Sequence, residues 1–272
     1  MLRKLNSVKE YLGFVDEINR DERFSEPMLS DEEEMRCNLL EAPEKPANHI
    51  FGIFDGEEII GLFVFLILEE ESYIEMITGL SRREEAYAEM LSFLKEHYQG
   101  YQADFVYNPG NILLHEKLRG ENAVFDTQQQ KMVLKREVPY QGRRRVELYS
   151  PKYREQYMAL HSDEDRYWTA EKVIDAPDRF RILLALEGET VVGYIDVTHK
   201  YQENEPYDVF VREGSRRKGY AKAMLAKAIE LNRPRGMMLL VEVDNAPAIA
   251  LYRSLGFETQ AGADSVTAHV LL

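Results

Sequence analysis

Among 272 residues there is one cysteine, Cys37, and one tryptophan, Trp168. A single cysteine excludes an intramolecular disulfide and leaves no cysteine cluster for zinc. Cys37 is therefore expected to serve as a small buried hydrophobe, and no metal site is expected. Long apolar runs are missing too. The longest, Ile59 to Leu68, is too short to cross a membrane and reads as a strand buried on both faces. The opening stretch MLRKLNSVKEYLGFVDEINR has no unbroken apolar core of a secretory signal, and its acidic residues are foreign to transit peptides. A cytoplasmic protein without a membrane partner is the expectation. Excess positive charge is absent as well: the net charge is −14, and residues 1–139 hold 15 Lys and Arg against 28 Asp and Glu (−13), the remainder 19 against 20 (−1). Phosphate backbones need clustered cations, so the acidic half argues against nucleic acid. Its charge serves solubility or draws a cationic substrate toward the second half.

What the chain does contain is a repeat. SRREEAYAEML (Ser81 to Leu91) returns as SRRKGYAKAML (Ser215 to Leu225). Upstream, IFDGEEIIGLFVF (Ile53 to Phe65) parallels ALEGETVVGYIDV (Ala185 to Val197), each a hairpin with turn residues at Asp55-Gly56 or Glu187-Gly188. Downstream, VYNPGNILLHEKL (Val106 to Leu118) parallels VDNAPAIALYRSL (Val243 to Leu255), each a short strand and then a helix. Both copies close on a strand, Gln130 to Arg136 and Ser265 to Leu272. The Pro- and Gly-containing stretch Glu137 to Arg144 reads as a linker. Two domains, 1–138 and 143–272, are expected, each a mixed α/β sheet with helices on its faces.

In the second copy, the strand Tyr207 to Val211 leads through a turn into a helix starting near Lys218. A helix start offers unpaired N–H groups and a positive dipole end, which suits an anion. Gly219 leaves room for a ligand, and Arg216, Arg217 and Lys218 add positive charge. This turn, Arg216-Arg217-Lys218-Gly219-Tyr220-Ala221 after Val211, together with Asn245, Ala248, Leu251, Tyr252, Leu255, Gly256 and Phe257, resembles the GNAT N-acetyltransferase superfamily. The resemblance implies two tandem GNAT-like acyl-CoA N-acyltransferase domains and acetyl-CoA as co-substrate. It further implies two parallel strands that part so that pantetheine lies along the backbone of Val209, Phe210 and Val211, with the pyrophosphate on the N–H groups of Arg217 to Ala221.

By the same resemblance Tyr252 is the general acid for the departing thiolate, and the Val211 N–H meets the oxyanion. Asp208 is the leading candidate base; Asp196, Glu203 and Glu205 are others. EDRYW (Glu164 to Trp168) would supply acceptor contacts, an aromatic ring beside acids being suited to an ammonium group. The acceptor is expected to be a primary amine on a small molecule or peptide. Transfer of another acyl or aminoacyl group, or non-catalytic sensing of acetyl-CoA, are the competing readings. In the first copy Glu84 and Glu85 replace Lys218 and Gly219, and Ser81 to Glu84 reads as a capping box that closes the anion site. His115 is matched there with Tyr252.

Overall fold

The computed structural model describes residues 1–162 and 168–272. They form two compact units, one of Met1–Gln130 with Gln260–Leu272, the other of Lys131–Thr259. The expected division at 138/143 is thus corrected: each half gives its final strand to the other unit. In the first unit Val266–Leu271 lies between Gln102–Tyr107 and Val124–Phe125. In the second, Gln129–Leu134 lies between Gly236–Glu242 and Phe257–Thr259. The two insertions are equivalent. Because the repeats carry the same apolar alternation, either closing strand can fill either sheet, and pattern alone does not choose.

The first unit is a seven-stranded sheet in the order Leu2–Leu5, Asn48–Asp55, Glu58–Leu68, Tyr73–Leu80, Gln102–Tyr107, Val266–Leu271, Val124–Phe125. Glu58–Leu68 is buried on both faces, as its unbroken apolar run requires. The helix Glu84–His97 buries Ala86, Tyr87, Met90, Leu91 and Leu94, a stripe at helical spacing. Each such fully buried Leu or Met is worth about 2 kcal/mol. Cys37, expected inside, is only partly covered.

The second unit has two four-stranded sheets: Pro206–Val211, Thr190–Thr198, Phe180–Glu187, Arg145–Leu148, and Glu203–Asn204, Gly236–Glu242, Gln129–Leu134, Phe257–Thr259. The helix Tyr220–Asn232 packs Ala223, Met224, Leu225 and Ala228 into the core. Gly56 and Gly188 both turn their hairpins at φ +62°, a conformation glycine adopts without strain. Gly256, at φ +99°, serves a close approach as well. A Cβ there would lie 1.8 Å from the Arg136 carbonyl oxygen, so its bareness seats the chain that follows the exchanged strand.

Candidate active site

The site begins where two strands part. Glu203–Asn204 pairs in parallel with Gly236 and Met237. Beyond it, Pro206–Val211 belongs to the other sheet and shares no ladder with Gly236–Glu242. Two features bend the strand away. Pro206 lacks a ladder donor, and the register with Thr190–Thr198 slips so that Tyr207 bulges, with Asp196 opposite Asp208 and Val197 opposite Pro206. The vertex is held by side chains: Asn204, fully buried, donates to Asn232 at 2.9 Å and to the Tyr201 carbonyl at 2.9 Å, while Asn232 donates to the Gly236 carbonyl at 2.8 Å. Arg212 N–H bonds to Val192 at 2.8 Å, so alternation turns the N–H groups of Val211 and Val209 to the opposite, open edge.

Past the strand, a turn at Glu213–Ser215 leads to the helix, which starts at Tyr220, two residues later than expected. Its N-cap is Gly219 at φ +87°, with no side-chain cap and nothing within 4 Å of where a Cβ would stand. Arg217 also has positive φ, +60°. A cavity of about 390 Å³ opens here, lined by Val211, Arg216, Arg217, Gly219, Ala221 and Leu251 among others. Behind the turn Glu187 accepts from Tyr220 (2.9 Å), Ser215 (3.3 Å) and Lys218 (3.4 Å), which holds its carboxylate below the usual range. Tyr220 is buried and its hydroxyl committed, so it offers the turn only its backbone. Arg216 Nε bonds the Val211 carbonyl at 3.0 Å, and Arg144 bonds the Lys218 carbonyl at 2.7 Å with its guanidinium over the Tyr220 ring.

Asn245 caps the helix Ala246–Arg253, accepting from Ala248 N–H at 3.2 Å. Tyr252, seven residues past that cap, packs edge-on to Phe257 at 6.0 Å between centroids, and burial raises its hydroxyl above the ordinary tyrosine value. It is therefore protonated at neutral pH.

On the strand's two faces, Val209 and Val211 pack with the Tyr220–Asn232 helix side of the core, and Phe210 with Tyr194 on the other. Asp208 shares the second face with a network missed in the sequence. Tyr157 donates to both oxygens of Asp196 (3.0 and 2.9 Å), His161 Nε2 lies 3.2 Å from Asp196 and 3.7 Å from Asp208, and Tyr194 donates to Asp208 at 2.7 Å. Burial raises Asp196, against the pull of His161 and Tyr157. With its side chain 15% exposed, Asp208 is the accessible carboxylate; Asp196 and His161 are buried. One nitrogen and two carboxylate oxygens of this trio fall within 4.8 Å of one another. Since Asp196 already accepts on both oxygens, the group reads as a hydrogen-bonded network rather than a metal centre. The i, i+4 spacing of Tyr157 and His161 was the available signal. Of EDRYW, Glu164 to Tyr167 lie outside the described residues; Trp168 packs edge-on to Phe180 with the Arg179 guanidinium 4.7 Å from its ring centroid.

The first unit differs more than the sequence showed. From bulge to helix, the chain takes seven positions there (Ile77 to Glu84) and thirteen here (Tyr207 to Tyr220). The longer, glycine-containing turn exists in one copy only, although both read Ser-Arg-Arg. The capping box also fails: Arg83 is the N-cap without a side-chain cap, and Ser81 accepts from Arg83 N–H at 2.9 Å. Glu84 instead pairs with Lys117 at 2.7 Å, and Glu85 with Arg83 at 3.4 Å. The cap asparagines that correspond are Asn111 and Asn245, and the left-handed residues Asn122 and Gly256, each 134 apart. The counterpart of Tyr252 is thus Leu118, a buried core residue with no hydroxyl, and not His115.

Residues 143–257 match the Acetyltransferase (GNAT) family. That stretch is a GNAT domain. Mycothiol acetyltransferase of Brachybacterium faecium is 34% identical over 97 residues, 33% of this chain and 28% of that protein. The L-amino acid N-acetyltransferase AaaT of Escherichia coli is 34% identical over 104 residues, 35% and 63% of the two chains. The alignments thus span under a third of one relative and under two thirds of the other. A tandem GNAT protein from the clavulanic acid biosynthesis pathway superposes with TM-score 0.56 over 99% of this chain and 98% of that one, at 13% identity. A GNAT protein from Sphaerobacter thermophilus gives 0.61 over 82% and 80%, also at 13%. The fold of both units is GNAT-like.

Proposed function

We propose that the second unit transfers the acetyl group of acetyl-CoA to a primary amine. One observation carries this reading: a helix start without a side-chain cap, with Gly219 left-handed and open, set at the end of a strand that has parted from its parallel neighbour. On this reading the pyrophosphate rests on the N–H groups of Arg217, Lys218, Gly219, Tyr220 and Ala221, with Arg216 beside them, and pantetheine runs along Val209, Phe210 and Val211 as an added strand would. Asn245 and Ala248 fix the start of the helix whose Pro247 and Leu251 line the cavity.

The amine nitrogen attacks the thioester carbon, the carbon–sulfur bond breaks, and the thiolate takes the Tyr252 proton; the Val211 N–H meets the oxyanion. The proton leaving nitrogen passes to Asp208. The Escherichia coli relative's name makes the α-amino group of an amino acid one acceptor class to test. A thiol-release assay with acetyl-CoA and a panel of amino acids, polyamines and peptides decides the matter. Release that needs an added amine is expected; cofactor binding with no turnover across the panel would refute transfer.

A further inference from the structure

The first unit has a parting of strands of its own. Tyr73–Leu80 and Gln102–Tyr107 run parallel only as far as Met76 opposite Phe105. At that point the register with Glu58–Leu68 slips and Ile77 bulges. Gly79, two residues past its bulge, holds the place that Val209 holds two residues past Tyr207. In the second unit the strand edge there has no ladder partner. In the first, Gly79 N–H donates to Glu26 Oε2 at 2.7 Å, a buried bond across 53 positions, and Met28 N–H donates to Glu26 Oε1 at 3.3 Å.

Glu26 is 3% exposed and sits at the start of the short turn Pro27–Leu29. The chain leading to it is tied down on the other lip: Asn108, on the loop after Gln102–Tyr107, donates to the Glu22 carbonyl at 2.8 Å and to Ser25 Oγ at 3.0 Å. Ser25 in turn donates to the Gly262 carbonyl at 2.7 Å. The approach is so close that a Cβ on Gly110 would stand 3.0 Å from Arg23 Cα. Residues 22–26 thus bridge the parted strands, reaching from one lip to the other. Burying a carboxyl group is costly without hydrogen bonds, so its presence against a strand-edge N–H marks a site built to receive it.

We infer that the gap between Tyr73–Leu80 and Gln102–Tyr107 is a carboxyl-binding site, and that its resident ligand is the chain's own Glu26. The site takes a small planar carboxyl group, whose oxygens accept from Gly79 and Met28. The first unit therefore holds its cleft shut with its own side chain.

Glu26→Ala should empty the site without filling it, and sodium formate is the probe. In the full-length chain at pH 4.5, where part of the probe is formic acid and so matches the protonated carboxyl it replaces, formate should raise the Tm of Glu26→Ala saturably by about 2–4 °C, while wild type and Glu26→Gln stay unmoved. A Glu26→Ala protein with no response to formate, or a wild type that responds equally, overturns the inference. Should Glu26→Ala not fold, Glu26→Gln and Glu26→Met, alike in size but differing in an acceptor, decide it by hydrogen exchange. The Gly79 amide should exchange at least about tenfold faster in the Met variant, about 1.4 kcal/mol; equal rates would show that no carboxyl-type acceptor holds it.

Discussion

The Asn204 side chain donates to that of Asn232 at 2.9 Å, and this buried bond stands where the two parallel strands of the second unit separate. It joins the end of the Tyr220–Asn232 helix to the Glu203–Asn204 strand, so buried amides hold the point where the opening begins. Asn204→Ala leaves Asn232 Oδ1 and the Tyr201 backbone groups without partners. A stability loss of about 2–3 kcal/mol is expected in urea unfolding. A loss below about 0.5 kcal/mol would show the network to be idle.

Gly219→Glu places a Cβ at φ +87° and a carboxylate at the helix start. Acetyl-CoA affinity measured by calorimetry should fall more than about 100-fold, from strain and charge repulsion together. Glu85→Gly should leave it unchanged, because the first copy lacks the longer turn. Undiminished affinity in Gly219→Glu would falsify the placement.

Tyr252→Phe keeps the ring against Phe257 and removes only the hydroxyl. If that hydroxyl protonates the leaving thiolate, kcat should drop about 10²-fold with KM for acetyl-CoA nearly constant. A change confined to KM would assign Tyr252 to packing.

Thr78 is fully buried, and among the described residues its hydroxyl has no hydrogen-bond partner. Thr78→Val has nearly the same shape. It should stabilise the protein by about 1 kcal/mol, read as a higher urea midpoint; a destabilised variant would reveal an undetected partner.

Burial pushes the Glu26 carboxyl up to about 8, against the pull of the Gly79 and Met28 N–H groups. The native state therefore holds a proton that the unfolded chain releases near 4.3. Its contribution is full below that value and is lost as pH rises toward 8, with a slope of up to about 1.4 kcal/mol per pH unit. Denaturant titrations from pH 5 to 8 should show that decline in wild type and a flatter profile in Glu26→Gln. Parallel profiles would remove Glu26 as the source.

The repeat, the hairpins at Gly56 and Gly188, the cap asparagine of the last helix and the glycine turn before Tyr220 were all legible in the chain, because each is governed by residues within a turn or two of one another. The same local reading misled at Ser81, where a matching tripeptide concealed a turn six positions shorter between bulge and helix. It also passed over Tyr157 and His161, whose chemistry appears only when the strand bearing Asp196 and Asp208 lies beside them.

By itself, then, the sequence determined two copies of one α/β pattern and marked the second as the one with a glycine turn ahead of its helix. Tertiary structure alone decided which sheet received each closing strand, and that Glu26 would fill the gap beside Gly79. Strand pairing and the burial of a distant carboxyl depend on groups many tens of residues apart, and the energy of such contacts leaves no periodic trace in the chain that makes them.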